Sequence, residues 1–254
     1  MSRIVITSSW ADVPHLSAAE QADLLASFPA HERDARSKGV PILGSGRVFP
    51  VDEALITELA FPIPAHWPRI CGMDFGWDHP TAAVWIAWDR DADVVHVYDA
   101  YRSREQLVPV HAAAIKPRGA WIPVAWPHDG NNDTAVGPQL AKQYRTQGVN
   151  MRPENAKFPP DARDPMRSRI SVEAGLQLML TRMQTGRFKV AAHLNQWFEE
   201  FRLYHRDEGK VVKVRDDILC AARTALMDLR FAACQQPVKP LMAPYRPLDA
   251  VMGI

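Results

Sequence analysis

Hydrophobic and polar positions divide the chain into three stretches with different rhythms. Between residues 67 and about 232, apolar runs of strand length alternate with stripes of helical period. RICGMDFG (69–76), TAAVWIAWD (81–89) and DVVHVYDAYR (93–102) predict three successive strands, the last two joined by the polar turn DRDAD. A helix is expected from Arg104 to Lys116. IPVAWP (122–127) is then a nearly continuous apolar run, the pattern of a central strand covered on both faces. A helix from Thr134 to Gln147, a short strand near VNMRP and a long polar loop, 154–169, follow. Helical stripes return at 171–185 (Val172, Leu176, Met179, Leu180, Met183) and at 191–204 (Leu194, Trp197, Phe198, Phe201). LYHRDEGKVVKV (203–214) predicts a small hairpin around Asp207–Gly209, and a last helix opens at Asp216–Asp217, where acidic charge suits a helix N-terminus.

The flanks have a weaker pattern. Residues 1–66 suggest a linker or appendage: Ser17 and Glu20 form a capping box ahead of a short helix stopped by Pro29. A second short helix is expected over HERDARSKG (31–39), then a turn-rich segment, 40–56, and the proline-bearing IPAHWP. Residues 233–254 make a proline-rich tail expected to be flexible. For the middle region, 67–232, a meander followed by helix, strand, helix, strand and further helices predicts an α/β fold, a mixed central sheet flanked by helices of the ribonuclease H-like kind.

The 254 residues are 47% apolar and 23% charged, the balance of an ordinary globule. No eighteen-residue apolar window and no signal-peptide core are present, so an intracellular, non-membrane protein is expected. Cys71, Cys220 and Cys234 form no CxxC pair and no ligand spacing with the nine histidines, which argues against zinc or a disulfide framework. The formal net charge of +1 conceals a basic stretch: residues 142–215 hold 15 Lys/Arg against 8 Asp/Glu. That surface could face a polyanion, or simply be solvated helix faces.

The carboxylates change the picture most. Asp74 ends the first strand, Asp129 follows the IPVAWP strand, and Asp216 and Asp217 open the last helix. Each alone has an ordinary explanation as a turn, Asx-turn or helix-cap residue. Together, if the first and fourth strands are neighbours, they would meet at one sheet edge. Clustered carboxylates cannot all remain ionised without cations. Hard oxygen ligands suit Mg²⁺ or Mn²⁺, and two ions about 4 Å apart would activate water and stabilise the leaving oxygen of a phosphodiester. Helical spacing does not separate Asp216 from Asp217.

His79, His128 and Glu173 are candidates for support behind these ligands, with Asp78 and Asp133 nearby. Arg163, Arg167, Arg169, Arg182, Arg187, Lys189, Lys210, Lys213 and Arg215 form the candidate DNA-backbone surface, sequence-independent and salt-sensitive. The eight tryptophans, Trp77, Trp85, Trp88, Trp121 and Trp126 among them, suggest a packing layer. The DFG at 74–76 lacks the other kinase motifs.

GMDFGWDHPTAAVWIAWD, WIPVAWPHDG, VEAGLQLMLTRMQTGRFKV and VKVRDDILCAARTALMDLR resemble the nuclease domain of the large terminase subunit of tailed double-stranded-DNA bacteriophages. SWADVPHL, PAHERDARSKGVP and LGSGRVFPV resemble the linker preceding it, so the likeness extends over most of residues 7–232. It implies a ribonuclease H-like fold and a metal-dependent endonuclease that cuts concatemeric DNA at the start and finish of packaging in the host cytoplasm, with portal and small terminase subunit as partners. Asp74 and Asp129 match the family's first two aspartates, and Asp216 or Asp217 the third. No GxxxxGK[ST] loop is present, since GSGR (44–47) lacks the lysine, so no ATPase activity is expected and the chain would be an excised portion or a separately made nuclease. Other readings are a junction resolvase, strand transferase or ribonuclease H on the same fold, and a docking module for portal or small subunit.

Overall fold

The computed structural model describes residues 9–10, 17–27, 33, 37, 46–131, 139–160, 169–207 and 209–235. Helix α1 (Ala18–Ser27) opens on the expected capping box: Glu20 N–H donates to Ser17 Oγ at 3.3 Å, and Ser17 N–H to Glu20 Oε2 at 2.9 Å. Then come α2 (Glu53–Ile56), β1 (Thr57–Glu58), β2 (Arg69–Asp74), β3 (Thr81–Asp89), β4 (Val94–Ser103) and α3 (Val108–Ile115). They are followed by β5 (Val124–Ala125), α4 (Leu140–Thr146), α5 (Val172–Gln184), β6 (Phe188–Ala191), α6 (Asn195–Leu203), the hairpin β7 (Arg206–Asp207) and β8 (Lys210–Val211), and α7 (Asp217–Met227).

Six strands form one mixed sheet in the order β1-β6-β4-β3-β2-β5. The meander β2-β3-β4 is antiparallel at its centre, β5 runs parallel to β2 at one edge, and β6 and β1 extend the other edge in parallel. The period-2 alternation of β2 sorts its side chains between two cores. Ile70 faces α5, α6 and α7, with Leu176, Met179, Trp197, Phe201 and Leu219, while Cys71 and Met73 face α3 and α4, with Ile115 and Tyr144. Asp74 shares the parity of Ile70 and Gly72 and so belongs to the α7 face. Gly72 sets how closely α7 approaches: a Cβ there would lie 2.1 Å from the Ala221 carbonyl oxygen and 2.5 Å from the Ala225 nitrogen.

Several expectations are corrected. The linker expected over 1–66 gives its last part to the core: Val48, Phe49, Val51 and Ile56 are buried, β1 joins the sheet, and Arg206 N–H donates to Gly46 O at 2.6 Å. Phe188–Ala191 is strand β6, and the helix expected from 191 begins at Asn195, because a four-residue parallel strand carries too few positions to show a period. The helix expected from Arg104 starts at Val108, since β4 continues to Ser103 and Glu105 takes a positive φ of 55°. Trp85, Trp126 and Trp197 are buried, but Trp77 is 54% exposed and belongs to no packing layer. The 31–39 helix apart from residues 33 and 37, the start of the Thr134 helix, the middle of the 154–169 loop, Asp133, Arg163, Arg167 and tail residues 236–254 lie outside the described residues.

Candidate metal centre

The chain turns sharply after Asp74. Gly76 N–H donates to Thr81 Oγ1 at 3.2 Å, and that hydroxyl donates back to Gly76 O at 2.9 Å, closing the turn between β2 and β3. A Cβ on Gly76 would lie 2.3 Å from His79 O, so the close approach requires glycine. Asp129 sits in a 3₁₀ turn, His128–Asn131, reached within a few residues of β5. Trp126 anchors that turn by donating its indole N–H to Arg152 O at 2.8 Å. Because β5 is the parallel neighbour of β2, Cys71 pairing with Val124 and Gly72 with Ala125, both aspartates leave the sheet at the same end.

Helix α7 brings the others. Asp216 occupies its N-cap position and Asp217 its first turn, and both line one cleft of about 300 Å³ with Asp74 and Asp129. Asp217 is only 5% exposed, and His79 Nδ1 stands 3.7 Å from its Oδ1. Burial, foremost, pushes the Asp74 carboxyl up to about 8; Arg223 opposes this, and Asp129, Asp216 and Asp217 add to it. Asp129 is raised by burial against opposition from backbone hydrogen bonds, His128 and Arg223. Asp217 is raised by burial and then by Asp216, with His79 and Arg102 opposing. Such a cleft is chemically matched to a hard divalent cation, which would favour the ionised form of every one of these groups. Among the described residues no trio of His, Cys, Asp or Glu is drawn together tightly enough to hold an ion as it stands.

Of the supporting candidates, His79 lines the cleft with the four aspartates, while His128 acts on Asp129 through its charge. His128 lines a neighbouring depression of about 580 Å³ with Glu154, Asn155, Lys157 and Arg169. Glu173 is not at the cluster: Arg206 Nη1 and Nη2 donate to its two oxygens at 2.9 and 2.6 Å, tying the β7–β8 hairpin to α5. That engagement lowers the Glu173 carboxyl from its ordinary value.

The basic residues divide. Lys213 and Arg215 line the cleft, Lys210 stands on the adjoining hairpin, and Arg169 belongs to the neighbouring depression while donating Nε–H to Phe158 O at 2.7 Å. Arg182, Arg187 and Lys189 are at the other end of the sheet. Lys189 pairs with His96 across β6 and β4, six residues from Arg102 beside the site, which is roughly 20 Å along the strand. There Arg182 and Arg187 donate to the Asp93 carboxylate at 3.0 and 2.9 Å, and Lys189 Nζ donates to Leu55 O at 2.7 Å. The expected single basic surface is thus broken up by fold geometry.

Sequence reasoning missed Arg223, which lines the cleft at 9% exposure, and Cys220, whose thiol donates to Asp216 Oδ2 at 3.4 Å. The signal was available: 216, 220 and 223 share a helical stripe.

Residues 71–229 match the terminase RNaseH-like domain family. The large terminase subunit of Salmonella phage P22 is 39% identical over 254 residues, an alignment covering 97% of this chain and 50% of that protein. This chain thus spans about half the length of that relative. The structure of the P22 large terminase nuclease domain is 42% identical with a TM-score of 0.67, covering 75% of this chain and 96% of that one. The large terminase nuclease from thermophilic phage G20c with bound magnesium has a TM-score of 0.51 at 19% identity, covering 72% and 97%, a likeness of fold. The mixed sheet with its helical layers is accordingly ribonuclease H-like, and the chain belongs to the terminase RNaseH-like domain family, with all four cleft aspartates inside the matched residues.

Proposed function

We propose that this chain is a Mg²⁺- or Mn²⁺-dependent endodeoxyribonuclease of a phage genome-packaging motor, cutting concatemeric double-stranded DNA when packaging begins and ends. The observation that carries the reading is the convergence of Asp74, Asp129, Asp216 and Asp217 on one cleft from two strand ends and a helix N-terminus. These four would hold the metal, two ions in our reading. A bound divalent cation lowers the pKa of its water and polarises the phosphate. The magnesium in the G20c nuclease supports this choice of ion.

The chain's own residues supply positioning. Lys213 and Arg215 at the cleft wall attract the DNA backbone without reading sequence, while His79 beside Asp217 orients a water or phosphate oxygen. Portal and small terminase subunit are the proposed partners, and the host cytoplasm the place of action. Among the described residues no helix is long and apolar enough to cross a membrane. We assign no ATP hydrolysis to these residues, because GSGR offers no phosphate-loop lysine.

The test is plasmid cleavage by wild type and Asp74→Ala in Mg²⁺, Mn²⁺, Ca²⁺ or EDTA. Cutting by wild type in Mg²⁺ or Mn²⁺, lost in the variant and in EDTA, is the expected result. Equal cutting by both proteins, or none by wild type, would refute it.

A further inference from the structure

Helix α7 is capped in an unusual way. An Asp at the N-cap ordinarily accepts the N–H groups two and three residues on, which occupies its carboxylate. Asp216 holds that position, yet its side chain makes no capping hydrogen bond. The two N–H groups go to another helix instead: Ile218 and Leu219 donate to Glu200 Oε2 at 2.8 and 3.2 Å. Glu200 belongs to α6 and is 0% exposed. Its other oxygen, Oε1, accepts from Arg102 Nη1.

Arg102 is placed by the sheet. Asp74 pairs with Ala82, and Ala82 pairs with Arg102, so all three stand on one rung and project from one face. The contacts therefore run from the rung of Asp74 through Arg102 and Glu200 to the first turn of α7, where Asp216 and Asp217 emerge. A fully buried carboxylate is a poor means of gaining stability, because its desolvation offsets most of what the ion pair returns. Its effect here is on geometry and on sparing the Asp216 carboxylate, which accepts from the Cys220 thiol at 3.4 Å, from the capping role.

We infer that the Arg102–Glu200 pair is a positioning device for the metal centre: Glu200 caps α7 from outside, leaving the Asp216 carboxylate available to the cation and fixing where Asp217 enters the cleft. This rests on the metal-nuclease reading above and adds two positioning residues to it. Without the Glu200 carboxylate, Asp216 is the nearest replacement cap, and capping would draw it away from the cleft. Loss of Glu200 should then weaken metal binding more than it weakens the fold.

The experiment is calorimetric titration of the full chain with Mn²⁺, alongside thermal unfolding in EDTA. It compares wild type, Glu200→Ala, and the double variant Arg102→Met with Glu200→Gln, which keeps an oxygen acceptor for both N–H groups without a buried charge. Glu200→Ala is expected to bind Mn²⁺ about tenfold to a hundredfold more weakly, the loss usual when a ligand's outer support is removed. The double variant is expected to stay near wild type. Equal Mn²⁺ affinity in all three would overturn the positioning role while leaving the metal centre intact. Should Glu200→Ala not fold, the double variant decides alone: if it folds but has lost Mn²⁺ affinity, the capping account is wrong. Absence of Mn²⁺ binding in wild type would overturn the metal reading and this inference together.

Discussion

Asp74 and Asp129 leave two neighbouring parallel strands, β2 and β5, at the same end of the sheet, and α7 meets them there with Asp216 and Asp217. Four acids in one partly dry cleft are tolerable when some are protonated or a cation is shared. Much of the behaviour of this domain should follow from that competition between protons and metal.

Asp74→Asn fixes position 74 in the uncharged form at nearly constant shape. Metal-free stability should stay level near neutral pH and rise at alkaline pH, where the wild-type carboxyl ionises against Asp129, Asp216 and Asp217. Cleavage should fall by more than about a hundredfold, beyond the loss typical of outer-shell partners. Thermal unfolding in EDTA and plasmid cleavage in Mn²⁺ check the two halves.

The pH dependence has a definite sign. With the folded Asp74 carboxyl at about 8 against an ordinary 3.8, the folded state binds the proton more tightly than the unfolded chain. Its stabilising contribution is complete below about 4 and is lost as pH rises towards 8. Buried Glu200, raised to about 7 by burial against the opposition of Arg102, contributes in the same direction. Unfolding temperatures in EDTA should therefore fall from pH 5 to pH 8, less steeply in Asp74→Asn. Parallel slopes for the two proteins would refute the assignment to Asp74. Mn²⁺ affinity should rise over the same interval, because each ligand must shed its proton.

Gly72→Ala puts a methyl group against the backbone of α7, at 2.1 Å from Ala221 O, where no side chain can yield. A stability loss of about 1–3 kcal/mol or more is expected from overpacking. Urea unfolding measures it, and the displaced helix should carry Asp216 and Asp217 out of register.

DNA affinity separates the basic residues. In Ca²⁺, Lys213→Ala and Arg215→Ala should each weaken duplex binding and reduce the salt slope by about one. Arg182→Ala and Arg187→Ala, bound to Asp93 at the far end of the sheet, should leave affinity unchanged. Binding measured between 50 and 200 mM salt decides.

The strand-end aspartates were legible in the sequence because RICGMD and IPVAWP are apolar runs that end beside an acid, a pattern the chain would not tolerate without compensation. The hairpin at 206–211 and the helix opening at 217 were legible from turn and capping chemistry. Strands β1 and β6 were not, because two and four residues show no period and their partners are far away in sequence. Nor could composition say at which end of the sheet an arginine lies: Arg182 and Arg187 fold onto Asp93, whose positive φ of 51° closes the β3–β4 turn. Glu200, within WFEEF, has the ordinary look of a polar residue on a helix. Its burial depends on Arg102, 98 residues earlier in the chain.

The central claim is that the four aspartates hold divalent metal. Anomalous diffraction from crystals grown with Mn²⁺ tests it most directly. The account predicts peaks inside the cleft, within ligand distance of Asp74, Asp129 and at least one of Asp216 and Asp217, and their loss in Asp74→Asn. A cleft without anomalous density at saturating Mn²⁺, or density elsewhere on the molecule only, would contradict it.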